Sequence, residues 1–292
     1  MNALGFGLVD ASILAIAALG FTLQFGVTNY VNFAYGAFLT FGAYMALAAN
    51  VEPFHLSIWP AMLIGGVCTA IFGLLLNQFF LAPFVARRRG LIFALIVTFT
   101  LSLMLGDIYI IIWGSDFKEL DYSGTVAHEV GPFLWSNYDI AFMLITGVVL
   151  LAVHLLLTRT SLGRSMRAMG DDLNLARVCG IRTEAVVAAT WGISAFLAGV
   201  AGVMLAIEQR TFTTTLGDNF LFLILGSVIL GGIGRPAGAV IGAVVIGVAV
   251  QIGVLFIPSG LAPVLVFVAL IGVMLLRPQG LMGATPRPPG QL

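Results

Sequence analysis

The sequence predicts an all-α integral membrane protein, a polytopic bundle of about nine spans that includes short and broken helices. Three observations predict this fold class. The chain is 60% hydrophobic and 9% charged, with a mean hydropathy of +1.08, whereas soluble domains carry roughly 25% charged residues. Several long stretches contain no charged residue, as a hydrocarbon solvent allows. The 35 glycines permit close contact between membrane helices.

Charge-free runs locate the individual spans, because one crossing needs about 20 apolar residues. The first and last long runs, residues 11–51 and 236–276, are each long enough for two crossings. A shorter run, residues 219–234, falls below the length of a full crossing. The runs that provide one crossing each are residues 53–86, 90–113, 140–158 and 185–207. No Lys or Arg precedes the first run, so we expect a retained span and not a cleaved signal peptide.

The basic residues predict the orientation, because cytoplasmic loops retain Lys and Arg. With the N-terminus outside and the C-terminus in the cytoplasm, only Lys118 and Arg210 of the 13 basic residues lie outside. Residues 159–184 then form a charged cytoplasmic loop within a single transmembrane domain, residues 1–292. The Pro-rich residues 278–292 are expected to form a short, disordered cytoplasmic tail.

A polar cluster interrupts the first long apolar run, where its two spans join. It supplies four candidate pathway residues: Gln24, Asn29, Asn32 and Tyr35. One interpretation is a polar turn at the membrane surface. The other is a broken helix whose freed polar groups line a translocation pathway, since irregular backbone survives at membrane depth only beside protein or a cavity. The sequence leaves both open.

A glycine-rich stretch, residues 230–247, interrupts the second half of the chain. Its glycine spacing faintly resembles a nucleotide-binding loop, but no strand precedes it and Pro236 interrupts it. We therefore expect a short helix that ends in a glycine-rich turn. Its resemblance to residues 29–43 indicates an internal repeat around a central route.

The loop of residues 159–184 is unusually rich in charge and contains a predicted short helix. Asp171 or Asp172 is a suitable N-cap, and Gly180 is a suitable C-terminal stop. Leu173 and Ala176 lie at helical spacing and begin an apolar stripe. If the helix extends one turn towards the N-terminus, Met166 and Met169 join the apolar stripe, and Arg167 pairs with Asp171.

The sequence admits two interpretations of this helix. An amphipathic helix on the membrane surface would use its arginines to meet anionic lipid. The acidic residues of the same loop oppose that arrangement, because they would face lipid of like charge. A mixed-charge helix with an apolar stripe fits better into a groove on a soluble protein.

Three segments carry a family resemblance, in the same order along nearly the whole chain. They are "ALGFTLQFGVTNYVNFAYGAFLTFGAY", "GRSMRAMGDDLNLARVCGI" and "GSVILGGIGRPAGAVIGAVVIG" with the later "LLRPQGLMG". Together they resemble branched-chain amino-acid ABC transporter permeases of the LivH/LivM type, and the first segment is closer to LivH. Tyr35 stands where that family often has His.

The resemblance implies a type II ABC importer-like permease of the bacterial inner membrane, with several protein partners. These are a second homologous permease, two ATP-binding subunits and a periplasmic solute-binding protein. The implied coupling residues are Arg164, Arg167, Asp171, Asp172, Leu173, Ala176, Arg177 and Gly180. The implied cargo is a branched-chain or other hydrophobic amino acid. Urea, short amides or a related small neutral solute remain as alternatives.

The chain itself is not expected to be an enzyme or to bind a cofactor, a metal ion or nucleic acid. Its single lysine, Lys118, lies in an external loop, so no phosphate-binding Walker lysine is present and ATP hydrolysis requires another chain. An ion-coupled secondary transporter would need an intramembrane coupling group, for which Asp107 and His154 are the candidates. A membrane-embedded enzyme would need a cluster of His, Asp, Glu or Cys residues at one depth, and the sequence shows no such cluster. A passive channel is the third alternative.

Overall fold

The computed structural model describes residues 2–51, 55–82, 91–122, 127–130 and 133–254, together with 268, 271, 272 and 280–282. The helices are α1 (Asn2–Thr28), α2 (Tyr35–Asn50), α3 (Ile58–Leu76), α4 (Leu91–Trp113), α5 (Asn137–Arg159), α6 (Ser161–Asp171), α7 (Leu173–Val178), α8 (Thr183–Gln209), α9 (Leu216–Gly231) and α10 (Pro236–Val254). A π-helical turn, Asn77–Leu81, extends α3. The strands are β1 (Lys118–Glu119), β2 (Ala127–Val130), β3 (Phe133–Ser136) and β4 (Thr211–Phe212). β2 and β3 form an antiparallel hairpin, and β1 pairs antiparallel with β4.

The helices confirm the predicted fold class, although not the number of nine spans. Six helices are long and apolar enough to cross a membrane: α1, α3, α4, α5, α8 and α10. The other two predicted spans that the structure describes, α2 and α9, have 16 residues each. That length spans about 24 Å at 1.5 Å per residue, which is less than the hydrocarbon core. The ninth predicted span, in the second half of residues 236–276, lies largely outside the described residues.

The first helix begins at Asn2, earlier than the charge-free run indicated. The sequence-based boundary lay after Asp10, because a charged residue was expected to stay outside the span. In the structure the Asp10 carboxylate accepts a hydrogen bond from Gln251 Nε2 of α10. This bond from α10 allows the carboxylate of Asp10 to lie within α1.

Two helix triplets, α1–α3 and α8–α10, form the core of the bundle. Over the described residues α1 and α8 have 27 residues each, and α2 and α9 have 16 each. Each 27-residue helix ends where one residue adopts a left-handed conformation, at Asn29 (φ 57°) and at Arg210 (φ 63°). α1 and α8 run antiparallel, since Gln24 contacts Ser194 near one end and Leu14 lines a cavity with Glu208 near the other. The triplets are therefore inverted repeats.

This repeat differs from the one that the sequence indicated. The break at residues 29–34 corresponds to residues 210–215, and not to the glycine-rich residues 230–247. The latter stretch contains the turn between α9 and α10, which corresponds to the link between α2 and α3. The expected short helix with a glycine-rich end is nevertheless present, as α9 ends at Gly231 and Gly232 has a φ of 109°.

Close glycine contacts hold α2 at the centre of the bundle. A methyl group added to Gly36 would lie 2.9 Å from the Gly217 carbonyl oxygen of α9. A methyl group added to Gly42 would collide with Gly199 of α8. α4 and α5, by contrast, lie at the periphery and expose large apolar side chains such as Ile111 and Val148. This outer layer suits contact with lipid or with another membrane protein.

Candidate functional site

The break between α1 and α2 returns the chain into the bundle. Asn29 is exposed at the start of the break, and its N–H donates to Phe25 O at 2.7 Å. Asn32 is buried, and its Oδ1 accepts a bond from the Ala34 N–H at 3.0 Å. The Asn32 side chain thus replaces the backbone partner that a continuous helix would supply to Ala34. The break is a turn at its first residue and a buried polar segment further on.

Three of the four predicted pathway residues form a buried network across α1, α2 and α8. Gln24 Oε1 accepts bonds from Asn32 Nδ2 and Ser194 Oγ, both at 3.4 Å. The Tyr35 hydroxyl donates to Ala17 O at 2.9 Å and lies 3.4 Å from Ser194 O. Gln24, Asn32 and Tyr35 are at most 1% exposed. Asn29 does not join them.

One donor in this network has no partner. Among the described residues, none accepts a hydrogen bond from Gln24 Nε2, although the group is fully buried. An unpaired buried amide N–H costs about 1–3 kcal/mol. Such a group marks a place that a water molecule, a solute or another conformation can satisfy.

The charged loop folds as two short helices, which confirms the helix predicted before Gly180. Asp172 is the N-cap of α7, since its Oδ1 accepts bonds from the N–H groups of Asn174 (2.8 Å) and Leu175 (3.0 Å). At the other end Gly180 has a φ of 83°. Its neighbour Ile181 donates its N–H to Ala176 O at 3.1 Å. This pair of features is a Schellman motif, in which glycine avoids the cost of the left-handed conformation.

The predicted apolar stripe is divided between two faces, which corrects the sequence interpretation. Met166, Met169 and Ala176 are buried against Val27 of α1 and Val186 of α8. Leu173 is 39% exposed, and Leu175 and Val178, which form the outer face of α7, are 61% and 85% exposed. The stripe divides because Asp172 is extended (φ −155°, ψ 112°) and interrupts the helical phase between α6 and α7.

The arginine pairing also differs from the prediction. Arg167 Nη1 donates to the carbonyl oxygen of Leu157, at 2.8 Å, near the end of α5. The expected partner, Asp171, is exposed at the last position of α6. Arg167 therefore fastens the loop to a membrane helix. Arg164 and Arg177 are exposed.

The C-terminal end of α1 contacts both the break and the charged loop. A methyl group added to Gly170 of α6 would lie 2.8 Å from Gly26 O. Val27 belongs to the same buried cluster as Met166 and Met169. The turn after α9 also meets this end, because a methyl group added to Gly234 would lie 3.9 Å from the Phe25 ring. Any displacement of α6 therefore acts directly on the last turn of α1.

Part of the predicted tail is ordered at this same end, contrary to the expectation of disorder for residues 278–292. The N–H groups of Leu281 and Met282 donate to Leu230 O (2.8 Å) and Gly231 O (3.1 Å). Arg235 Nη1 in turn contacts Met282 O. Residues 280–282 thus satisfy the last carbonyl groups of α9, which have no partner within their own helix.

The opposite end of the bundle holds two cavities that the sequence did not indicate. The outer cavity, of about 850 Å³, lies between the start of α1, the loop before α5 and the end of α8. The inner cavity, of about 320 Å³, lies between α1, α8, α9 and α10. Both are lined by Glu208. No motif marks their charged residues, since these come from segments far apart in the sequence.

These features define a polytopic membrane protein with a charged loop packed against its helices, and the comparisons with known proteins identify its family. Residues 3–277 match the family described as "Branched-chain amino acid transport system / permease component". The chain belongs to this family. Together, its apolar helices and its permease relatives make it a multi-pass inner-membrane protein.

The curated relatives match over nearly the full length of the chain. The permease protein BraD of the high-affinity branched-chain amino acid transport system of Pseudomonas aeruginosa is 27% identical over 95% of this chain and 94% of its own. LivH of Escherichia coli K12 is 27% identical over 95% of this chain and 93% of its own. The autoinducer 2 import permease LsrC of Photorhabdus laumondii is 26% identical over 80% of this chain and 68% of its own. No solved structure matches the chain.

Proposed function

We propose that this chain is the transmembrane permease subunit of an ATP-driven importer of branched-chain or similar hydrophobic amino acids. The family match over residues 3–277 is the observation that carries the proposal. The names of BraD and LivH assign those proteins to branched-chain amino acid transport. The name of LsrC assigns a different solute to a more distant relative, so the scaffold alone does not determine the cargo.

The proposed complex contains a second, homologous permease, two ATP-binding subunits and an external solute-binding protein. The N-terminus lies outside and the C-terminus in the cytoplasm, as the distribution of basic residues supports. One ATP-binding subunit contacts the outer face of α7. The exposed side chains of Leu173, Leu175 and Val178 support this contact, because an apolar face of this kind fits a groove on a soluble protein.

The coupling residues divide into two groups on this proposal. Leu173, Arg164 and Arg177 face the ATP-binding subunit, and Asp171 lies beside them at the exposed end of α6. Asp172 and Gly180 fix the two ends of α7. Ala176 and Arg167 hold the loop against the membrane helices. Movement of the loop would then reach the last turn of α1 through Gly170 and Val27.

The buried network of Gln24, Asn32 and Tyr35 is the proposed cytoplasmic part of the translocation pathway, and Asn29 begins the break that leads to it. The unpaired amide of Gln24 supports this role, since a satisfied structural network would leave no donor free. In this conformation the network is closed. Opening the break would give the amide access to water or solute.

Uptake of radiolabelled leucine by cells that depend on this transporter tests the proposed function. We expect uptake to require this permease, its ATP-binding subunits and the solute-binding protein. Urea and acetamide, supplied as labelled competitors, are expected to leave leucine uptake unchanged. A complex that imports urea or acetamide and leaves leucine outside would replace the proposal with the amide alternative.

A further inference from the structure

Two opposite charges lie close together at the external end of α8. Glu208 and Arg210 are two residues apart, and both line the outer cavity. Within the part of the chain that the structure describes, neither side chain forms a hydrogen bond. Their charges are therefore available to a ligand, unlike that of Asp10, which Gln251 engages.

The backbone holds these charges in place. Arg210 has a left-handed conformation, with a φ of 63°, immediately before β4. β4 pairs with β1 in the external loop, where Thr211 lies opposite Glu119. Asn50 secures the same loop, because its side chain bonds both the N–H and the carbonyl group of Asp121, at 2.6 and 2.9 Å. The backbone thus places a carboxylate and a guanidinium group at one end of α8, an arrangement that suits a ligand with both charges.

The cavities beside Glu208 differ in character. The charged residues lining the outer cavity are predominantly acidic; besides Arg210 they are Glu119, Asp121, Asp139 and Glu208. A cavity with this balance attracts a positively charged group from outside. The inner cavity has mainly apolar walls, among them Leu14, Leu205, Phe220 and Ile246, and is lined on one side by Asp10, Gln209 and Gln251. Glu208 thus stands between an acidic cavity and one with mainly apolar walls.

We propose that Glu208 and Arg210 form an uptake site for a zwitterionic α-amino acid. Glu208 binds the ammonium group, Arg210 binds the carboxylate, and the inner cavity receives the aliphatic side chain. The proposal rests on the proposed transport function and deepens it, because it requires a charged ammonium group that urea and short amides lack. The competing occupant is a basic surface of the solute-binding protein.

Leucine uptake by the complete transporter in cells, at leucine concentrations below the KM, tests this site. We expect Glu208→Gln, which keeps the shape and removes the charge, to reduce uptake at least tenfold by raising the KM. Arg210→Gln is expected to act in the same direction, and Glu208→Asp to restore part of the uptake. Asp116→Asn removes an exposed external charge that does not line either cavity, and it is expected to transport as the unaltered protein does.

The outcomes separate this inference from the function on which it rests. If the unaltered transporter does not import leucine, the proposed function fails. If it imports leucine and the assembled Glu208→Gln and Arg210→Gln complexes do so with unchanged KM, the uptake site alone is overturned. A loss of affinity for the solute-binding protein that matches the loss of uptake would also overturn it, by assigning the charges to docking. Unchanged affinity for that protein, with a raised KM for leucine, supports the site.

Discussion

Gly36 of α2 and Gly217 of α9 lie in direct backbone contact where the two 16-residue helices meet. A methyl group on Gly36 would come within 2.9 Å of Gly217 O, and one on Gly217 would collide with Gly36 O. Thr40 strengthens the contact, since its hydroxyl accepts a bond from the Gly217 N–H at 3.0 Å. At this point α2 and α9 therefore approach each other through their backbones.

Gly36→Val is expected to destabilise the bundle, because the obstacle is a carbonyl group that cannot rotate away. We expect a loss of about 1–3 kcal/mol, the usual cost of overpacking a core, seen as a lower Tm in detergent. Gly147→Val on α5 is the matched control, since no atom lies within 4 Å of the added carbon there. Equal melting temperatures for both variants would show that α2 and α9 do not touch in the folded protein.

The outer face of α7 is expected to bind an ATP-binding subunit. Leu175→Asp places a charge on a side chain that is 61% exposed in this chain, so the permease itself is expected to fold and insert normally. Purified complexes are expected to lose the ATP-binding subunit, because an unpaired charge in an apolar interface is costly. Retention of both ATP-binding subunits with full substrate-stimulated hydrolysis would place this face in solvent or lipid.

Ala176→Asp on the inner face of the same helix is expected to act differently. Ala176 is 3% exposed and packs with Met166, Met169, Val27 and Val186. A buried carboxylate there would detach the loop from α1 and α8. We expect rapid proteolysis within residues 159–184 of the isolated permease, whereas Leu175→Asp is expected to keep the protease resistance of the unaltered protein. Equal resistance of the two variants would contradict the division of the stripe.

The buried polar network is expected to matter for transport more than the exposed start of the break. Asn32→Leu leaves the Ala34 N–H without its acceptor, at a cost of about 1–3 kcal/mol, and removes one of the two bonds to Gln24 Oε1. We expect reduced leucine uptake per assembled complex. Asn29→Gly keeps the left-handed conformation and is expected to transport normally. Normal uptake by Asn32→Leu would remove this network from the pathway.

The orientation is testable with one native and one introduced thiol. Cys179 is exposed next to α7, whereas Cys68 lies within α3. In a Cys68→Ala background, an impermeant thiol reagent is expected to label Cys179 after permeabilisation of the cells but not before. Phe117→Cys, at a side chain that is 75% exposed, is expected to react in intact cells once Cys179 is also removed. The reverse pattern would invert the topology.

Most of the fold followed from composition, because hydrocarbon solvent selects apolar runs of defined length. The inverted repeat did not follow from composition, since its two halves share a 16-residue middle helix and the position of a backbone break, and not residue identity. Asn29 and Arg210 occupy equivalent positions and share only a left-handed φ. The stripe of the charged loop was misassigned for a related reason, as helical spacing was assumed across Asp172, which is extended.

The candidate site was predicted unevenly. Gln24, Asn32 and Tyr35 attracted notice as polar residues in an apolar run, and they do meet in space. The charges of the cavities were missed because Glu208 and Arg210 lie at an ordinary helix end. They line a cavity together with residues of the segment that begins at β1, which pairs with β4. Such long-range pairing leaves no local pattern.

The docking of residues 280–282 on the end of α9 has a consequence for biosynthesis. A chain is made from its N-terminus, so α9 leaves the ribosome well before Leu281 and Met282 are added. Until then Leu230 O and Gly231 O lack the partners that they have in the finished protein. The face beside Phe25 is therefore completed only after Leu281 and Met282 have left the ribosome. A nascent chain cannot present this surface in its mature form before these residues are made.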